Sequence, residues 1–282
     1  MESIHIVYED QAGVFEARAG VPEEAAARVA AEVAGWGGMG ADELLVEVGA
    51  GTGVIGQWLA RRPGRYLGLD SSHAMLEVFR PRLPAGGGAV LVHADANEPW
   101  PVGTGCVSVI FGSRVLHLLR PAHALREARR VAHPRGAVLV CGRIQHSRGS
   151  PRAQARAKLR DLLAAHGFRP APTGGRPREL LALAEAAGAE PLPERVAATW
   201  PETVTVTQII DWWRGKTSIG GVNPPVDIAE RVLDELTSWA ADTFGDPAPP
   251  ITTDTRYLLE GVRLPPVAPP DPGRSDPRRH RD

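Results

Sequence analysis

Apolar runs of four or five residues recur along the first half of the chain, at 44–48, 66–69, 89–92, 107–111 and 137–140, each bounded by Gly, Pro, Asp or Asn. Continuous apolar runs of this length fit strands buried on both faces. Segments with helical spacing separate them. In 122–131, Leu125, Ala128 and Val131 share one side, and 22–33 is rich in alanine, a strong helix former. Strand and helix in alternation predict an α/β fold with a doubly wound, mostly parallel sheet covered by helices on both faces.

Beyond residue 140 the rhythm changes. Ser150 reads as an N-cap and Pro151 as the first helical residue of a helix over 150–165. Helices are also predicted over 177–187, 206–214 and 226–243, a short strand over 196–199, and a closing strand over 256–264. The expected organisation is a core with an N-terminal helix over 1–146, a basic helical segment over 147–175, a core helix and strand over 176–202, a second helical segment over 203–250, and the closing strand within 251–264. Residues 265–282 hold Pro, Asp and Arg with almost nothing to bury, and are expected to be disordered.

Composition narrows the function classes. Of 282 residues, 43% are apolar and 23% charged, with a net charge of −1, so no general affinity for nucleic acid or anionic membrane is implied. Two cysteines, Cys106 and Cys141, make no disulfide framework and are expected as free thiols in a reducing compartment. With no signal-peptide pattern and no apolar run of membrane-spanning length, the expectation is a soluble cytoplasmic protein.

The sharpest motif is Val46-Glu47-Val48-Gly49-Ala50-Gly51-Thr52-Gly53-Val54-Ile55-Gly56. A strand enters a glycine loop and a helix is expected to leave it, its N-terminal amides facing a ligand. Gly51, Gly53 and Gly56 satisfy a dinucleotide fingerprint, whereas Gly49, Gly51 and Gly53 satisfy the G-x-G-x-G loop of enzymes that use S-adenosylmethionine (SAM). The downstream acids break the tie: both cofactor classes use the first of the two, so the second, Asp95, decides. Asp70 ends the second strand, where a carboxylate can accept two ribose hydroxyls. Asp95 follows the third, where a carboxylate suits an adenine amino group and the next backbone amide suits the ring.

These residues, with the Leu116-His117-Leu118-Leu119 stretch and the turn over 131–136, resemble the class I SAM-dependent methyltransferases, in particular the small-molecule branch near the ubiquinone and menaquinone enzymes. The resemblance spans 44–143. It implies a Rossmann-like, seven-stranded, mostly parallel sheet with an antiparallel last strand. The region between the fifth strand and the last is too long for a bare sheet, so a helical lid inserted after the fifth strand is expected as well. The resemblance implies SAM as cofactor, with Glu47, Gly49, Gly51 and Gly53 around its methionine part, Asp70 on the ribose, Met75 or its neighbours on the adenine face, and Asp95 and Ala96 on the adenine edge. Family members often carry an acid before the Leu-His stretch; this chain has Phe111-Gly112-Ser113-Arg114, with Ser113 on the cofactor side.

A small organic acceptor is the expected partner, and no metal is called for. Methyl transfer needs alignment of the nucleophile and exclusion of water, plus a base only where the acceptor must lose a proton. His117, after the fourth strand, is the candidate base. His146 follows the fifth strand, and with Tyr8, Trp212 and Trp213 it is a candidate for the substrate side. Between 143 and 178 nine Lys and Arg face Asp161 alone. That basic segment keeps an RNA or protein methyltransferase as the alternative, beside a SAM-binding protein without catalysis. A nicotinamide oxidoreductase ranks last, because no Tyr-x-x-x-Lys pair exists.

Overall fold

The computed structural model describes residues 20–266, except 170–174, 215 and 217, with the side chains of His117 and of 175–177 also left aside. Tyr8 and residues 267–282 therefore lie outside the described residues.

The chain runs through α1 (Glu23–Gly37), β1 (Leu44–Val48), α2 (Gly56–Leu59), β2 (Arg65–Asp70), α3 (His73–Phe79), β3 (Ala89–His93), β4 (Val109–Ser113), α4 (Pro121–Val131), β5 (Ala137–His146), α5 (Pro151–Ala165), α6 (Gly175–Ala186), β6 (Glu190–Val204), α7 (Val206–Trp213), α8 (Val226–Phe244) and β7 (Ile251–Leu264). Seven strands form one mixed, mostly parallel sheet in the order β3-β2-β1-β4-β5-β7-β6. From β1 the chain works outward to β3, then crosses back to place β4 on the other flank of β1. The loops after β1 and β4 therefore diverge, which opens a crevice at the strands' carboxyl ends. Register is parallel throughout this half, with Val46 opposite Leu67, Glu47 opposite Gly68, and Val48 opposite Gly112.

Local chemistry explains the elements. Four of the five residues of β1 are buried, as its apolar run requires. Ser72 caps α3 by accepting the Met75 N–H, and Ser150 caps α5 by accepting the Ala153 N–H, with Pro151 in the first turn. Pro121 opens α4, and Arg129 and Arg130 sit in its last turn, where cations suit the helix dipole.

Three strands are longer than their sequence patterns predict. β5 continues to His146, β7 begins at Ile251, and β6 occupies Glu190–Val204 rather than four residues near 196–199. β6 is one of the two edge strands, the other being β3, and nine of its fifteen residues are exposed. An edge tolerates Pro191 and Pro193, whose missing N–H groups would break an interior ladder. The helix expected after the glycine loop is the reverse case, because α2 spans only Gly56–Leu59.

The chain divides into two units. Of the described residues, the first takes in 20–142, Arg176–Glu194 and 259–266; the second takes in those within Arg143–Gly175 and Arg195–Leu258. The core of the first is built on β1, β4, β5 and α4, through residues such as Val46, Ile110, Leu139 and Val131. In the second, Ala155, Leu159 and Leu163 of α5, four residues apart, pack with Ile209, Ile210 and Trp213 of α7 and with Leu233 and Leu236 of α8. Both cysteines are free thiols, with Cys141 buried in β5. No helix among the described residues is long and apolar enough to cross a membrane.

Candidate functional site

The loop after β1 is folded by backbone bonds to the next strand. Gly49 and Ala50 both donate their N–H to the Leu69 carbonyl, at 2.8 and 2.9 Å. Gly49, Gly51 and Gly53 all have positive φ, at 70°, 56° and 80°. The glycines differ in what surrounds them. A Cβ at Gly53 would stand 2.1 Å from the Phe79 ring, so this glycine is required by packing as well as by conformation. A Cβ at Gly51 would meet nothing within 4 Å, so the backbone there faces open space.

Asp70 closes that loop from the end of β2. Its Oδ2 accepts the Gly51 N–H at 2.7 Å and its Oδ1 accepts the Ser72 N–H at 2.9 Å. Burial raises the Asp70 pKa, while the bonds from Ser72 and Gly51 pull against that rise. Each oxygen retains a lone pair, so the carboxylate can take two further donors.

Glu47 is placed differently from the sequence expectation. It is 2% exposed, lying beneath the loop rather than along an open face. Its Oε2 accepts the Tyr66 hydroxyl at 2.5 Å. Gly68, opposite Glu47 in register, lets the Tyr66 side chain fold across it, since a Cβ there would be 2.8 Å from the Tyr66 oxygen. Burial pushes the Glu47 pKa up to about 8 and also raises that of Tyr66. Met75 is likewise internal at 2% exposure, and the exposed residues of its helix are His73 and Glu77.

After β3, residues 95–98 form a tight turn. The Asp95 carbonyl accepts the Glu98 N–H at 2.9 Å, and the Asp95 Oδ1 accepts the Asn97 N–H at 2.9 Å. The Ala96 N–H has no hydrogen-bond partner among the described residues. Ser113 ends β4, half-buried, and Arg114 follows at φ 60°, a left-handed conformation uncommon outside glycine. The backbone of His117 lies in a single helical turn, Leu116–Leu118.

The second unit carries its own polar cluster. His146, the last residue of β5, places Nδ1 3.2 Å from Glu202 Oε2 and 3.1 Å from Thr255 Oγ1. Arg152 holds the other Glu202 oxygen at 2.8 Å. Burial alone would raise the Glu202 pKa, but the bonds from His146 and Arg152 outweigh it and bring the carboxyl down to about 2. Beside a carboxylate oxygen Nδ1 carries the hydrogen. Trp213 is a core residue of this unit at 5% exposure, which removes it from any open substrate face. Trp212 is half-buried, with the Lys216 ammonium over its ring.

Sequence reasoning missed the partners rather than the principals. Tyr66, Glu202, Thr255 and Trp100 join the site residues through contacts that no local motif marks. Thr52, inside the glycine loop, is 1% exposed, and its hydroxyl has no partner among the described residues.

Loop, strand-end acid and turn lie at the carboxyl ends of a Rossmann-like sheet. Residues 46–140 match the family model of the methyltransferase domain. Over 103 residues the chain is 34% identical to a demethylmenaquinone methyltransferase of Clavibacter sepedonicus, a match covering 36% of this chain and 41% of that protein. The chain thus spans under half the length of that relative. Among solved structures, a candidate methyltransferase from Bacillus halodurans superposes with a TM-score of 0.55 at 15% identity, over 84% of this chain and 98% of that one. The [4+2]-cyclase SpnF superposes at 0.50 and 20% identity, over 85% and 81%. These likenesses show the fold, which serves more than one reaction.

Proposed function

We propose that this chain is a SAM-dependent methyltransferase acting on a small organic acceptor. The observation that carries the reading is the Asp70 carboxylate, pinned by the Gly51 and Ser72 N–H groups beside the open face of Gly51, within the segment that matches the methyltransferase domain. The residues fit this cofactor. Asp70 has lone pairs left for two ribose hydroxyls. Asp95 and the Ala96 N–H, which has no partner among the described residues, offer an acceptor beside a donor, the complement of an adenine edge. Gly49, Gly51 and Gly53 leave a side-chain-free approach, and Ser113 lies at the adjoining strand end. Glu47 and Met75 act beneath the surface as supports.

SAM supplies a methyl group already activated on a sulfonium, so the chain needs no nucleophile of its own. Its residues hold the adenosine end, orient the methyl group and keep water away, which leaves in-line alignment of the acceptor as the main source of rate. Where the acceptor must lose a proton, His146 is the histidine with a prepared ring: Glu202 fixes its tautomer and would balance the imidazolium charge. His117 remains the second candidate. A cytoplasmic setting, which the two free thiols favour, is part of this proposal.

Incubation with methyl-deuterated SAM and a panel of phenols, amines and carbon acids tests the reading. The expected result is a labelled small molecule formed in step with S-adenosylhomocysteine. Label found only on RNA or protein would contradict the small-molecule assignment, and cofactor binding without any transfer would contradict catalysis.

A further inference from the structure

The turn that presents Asp95 and Ala96 is held in one shape by hydrogen bonds. Two peptide planes decide what it shows to a ligand. In the plane joining Asp95 to Ala96, the Asp95 carbonyl is engaged by the Glu98 N–H, so the Ala96 N–H, on the opposite side of a trans peptide, points away from the turn. The plane joining Ala96 to Asn97 is tied at both ends. Its N–H is held by the Asp95 Oδ1 at 2.9 Å, and its carbonyl accepts the Trp100 indole Nε1–H at 3.0 Å. The indole bond therefore reaches the Asp95 carboxylate through one rigid peptide.

Trp100 is itself anchored. Its ring is 4% exposed in the core of the first unit. Its N–H donates to Glu127 Oε2 at 2.8 Å, and its carbonyl accepts from Arg130 Nη2 at 2.9 Å. The second Arg130 nitrogen, Nη1, holds the Val102 carbonyl at 2.8 Å, and Glu127 pairs with Arg130 at 2.6 Å. Helix α4 thus fixes Trp100, Trp100 fixes the 96–97 peptide, and that peptide fixes the carboxylate.

We propose that Trp100 is a positioning residue that sets base specificity at this turn, by locking the Asp95 acceptor and the Ala96 donor side by side against the edge of a 6-aminopurine. The inference rests on the methyltransferase reading above. An adenine edge offers an amino donor next to a ring-nitrogen acceptor, which this pair complements. A hypoxanthine edge offers the reverse, an oxygen acceptor next to an N–H donor, and meets two mismatches. Discrimination needs both groups of the turn held in place, because a loose turn re-aims one of them at little cost.

The test is titration of the full chain and of Trp100→Phe with S-adenosylhomocysteine and with S-inosylhomocysteine. The variant keeps most of the apolar ring and loses the indole donor. Its affinity for the adenosine ligand should fall about five- to tenfold, the worth of one hydrogen bond, and its preference over the inosine ligand should fall by a similar factor. Unchanged affinity and preference overturn the proposal, as does an equal loss for both ligands, which would mark Trp100 as structural only. Should the variant not fold, the full chain labelled with ¹⁵N-tryptophan supplies the readout. Coupling is reciprocal, so S-adenosylhomocysteine should slow exchange of the Trp100 indole proton about five- to tenfold, and an indifferent indole overturns the idea. Failure of the unmodified chain to bind S-adenosylhomocysteine would instead sink the methyltransferase reading itself, and this inference with it.

Discussion

Replacing Glu47 with glutamine should leave the unfolding free energy almost unchanged at pH 4 and raise it at pH 9 by about 2–5 kcal/mol. The side chain is sealed between β1 and β2 against Tyr66 and is neutral in the folded protein until about pH 8, against 4.5 for the free group. Below pH 4.5 the carboxyl is protonated in both states and folding is not penalised. From 4.5 to 8 the unfolded chain ionises while the folded one does not, so wild-type stability falls as pH rises. Above 8 the folded protein holds a buried carboxylate at full cost. Glutamine stays neutral throughout, and its carbonyl can still accept the Tyr66 hydroxyl. Chemical denaturation across this pH range reads the difference directly. A variant less stable than wild type at pH 9 would mean that the charged form is the one the fold accommodates.

Replacing Asp70 with alanine should weaken S-adenosylhomocysteine binding by about 1.5–3 kcal/mol, roughly ten- to 150-fold. The carboxylate fixes the loop through Gly51, steadies the start of α3 through Ser72, and keeps lone pairs for two hydroxyls. Its position at the end of β2, half-buried, leaves the sheet core untouched, so the variant should fold. Calorimetry on the folded variant checks this, and an affinity equal to wild type would remove Asp70 from the ligand.

The division between what could be read from the sequence and what could not follows physical range. β1 and β2 are legible because interior strands of the sheet carry near-continuous apolar runs, and β3, an edge strand, is legible because Ala89–Val92 is still an apolar run bounded by glycine. The glycine loop is legible because its conformation demands glycine residue by residue. β6 is not, because an edge strand is largely solvated and tolerates proline. The short α2 escapes as well, since the loop motif says where a helix can begin and nothing about where Pro63 and Gly64 follow it. Within the site, Asp70 and Asp95 could be named from their strand ends. That Glu47 is internal could not, because its burial depends on Tyr66 reaching over Gly68 from the neighbouring strand. The same limit hides Glu202 behind His146, and the indole of Trp100 over Ala96.

Calorimetric titration of the purified full chain with S-adenosylhomocysteine and, separately, with NAD bears most directly on the central claim. Two acids beside the glycine loop, Asp70 at the end of β2 and Asp95 just after β3, suit a single adenosine with an amino acid at its 5′ end. Micromolar binding of S-adenosylhomocysteine with no heat from NAD is the predicted result; binding of NAD with none of S-adenosylhomocysteine would contradict it.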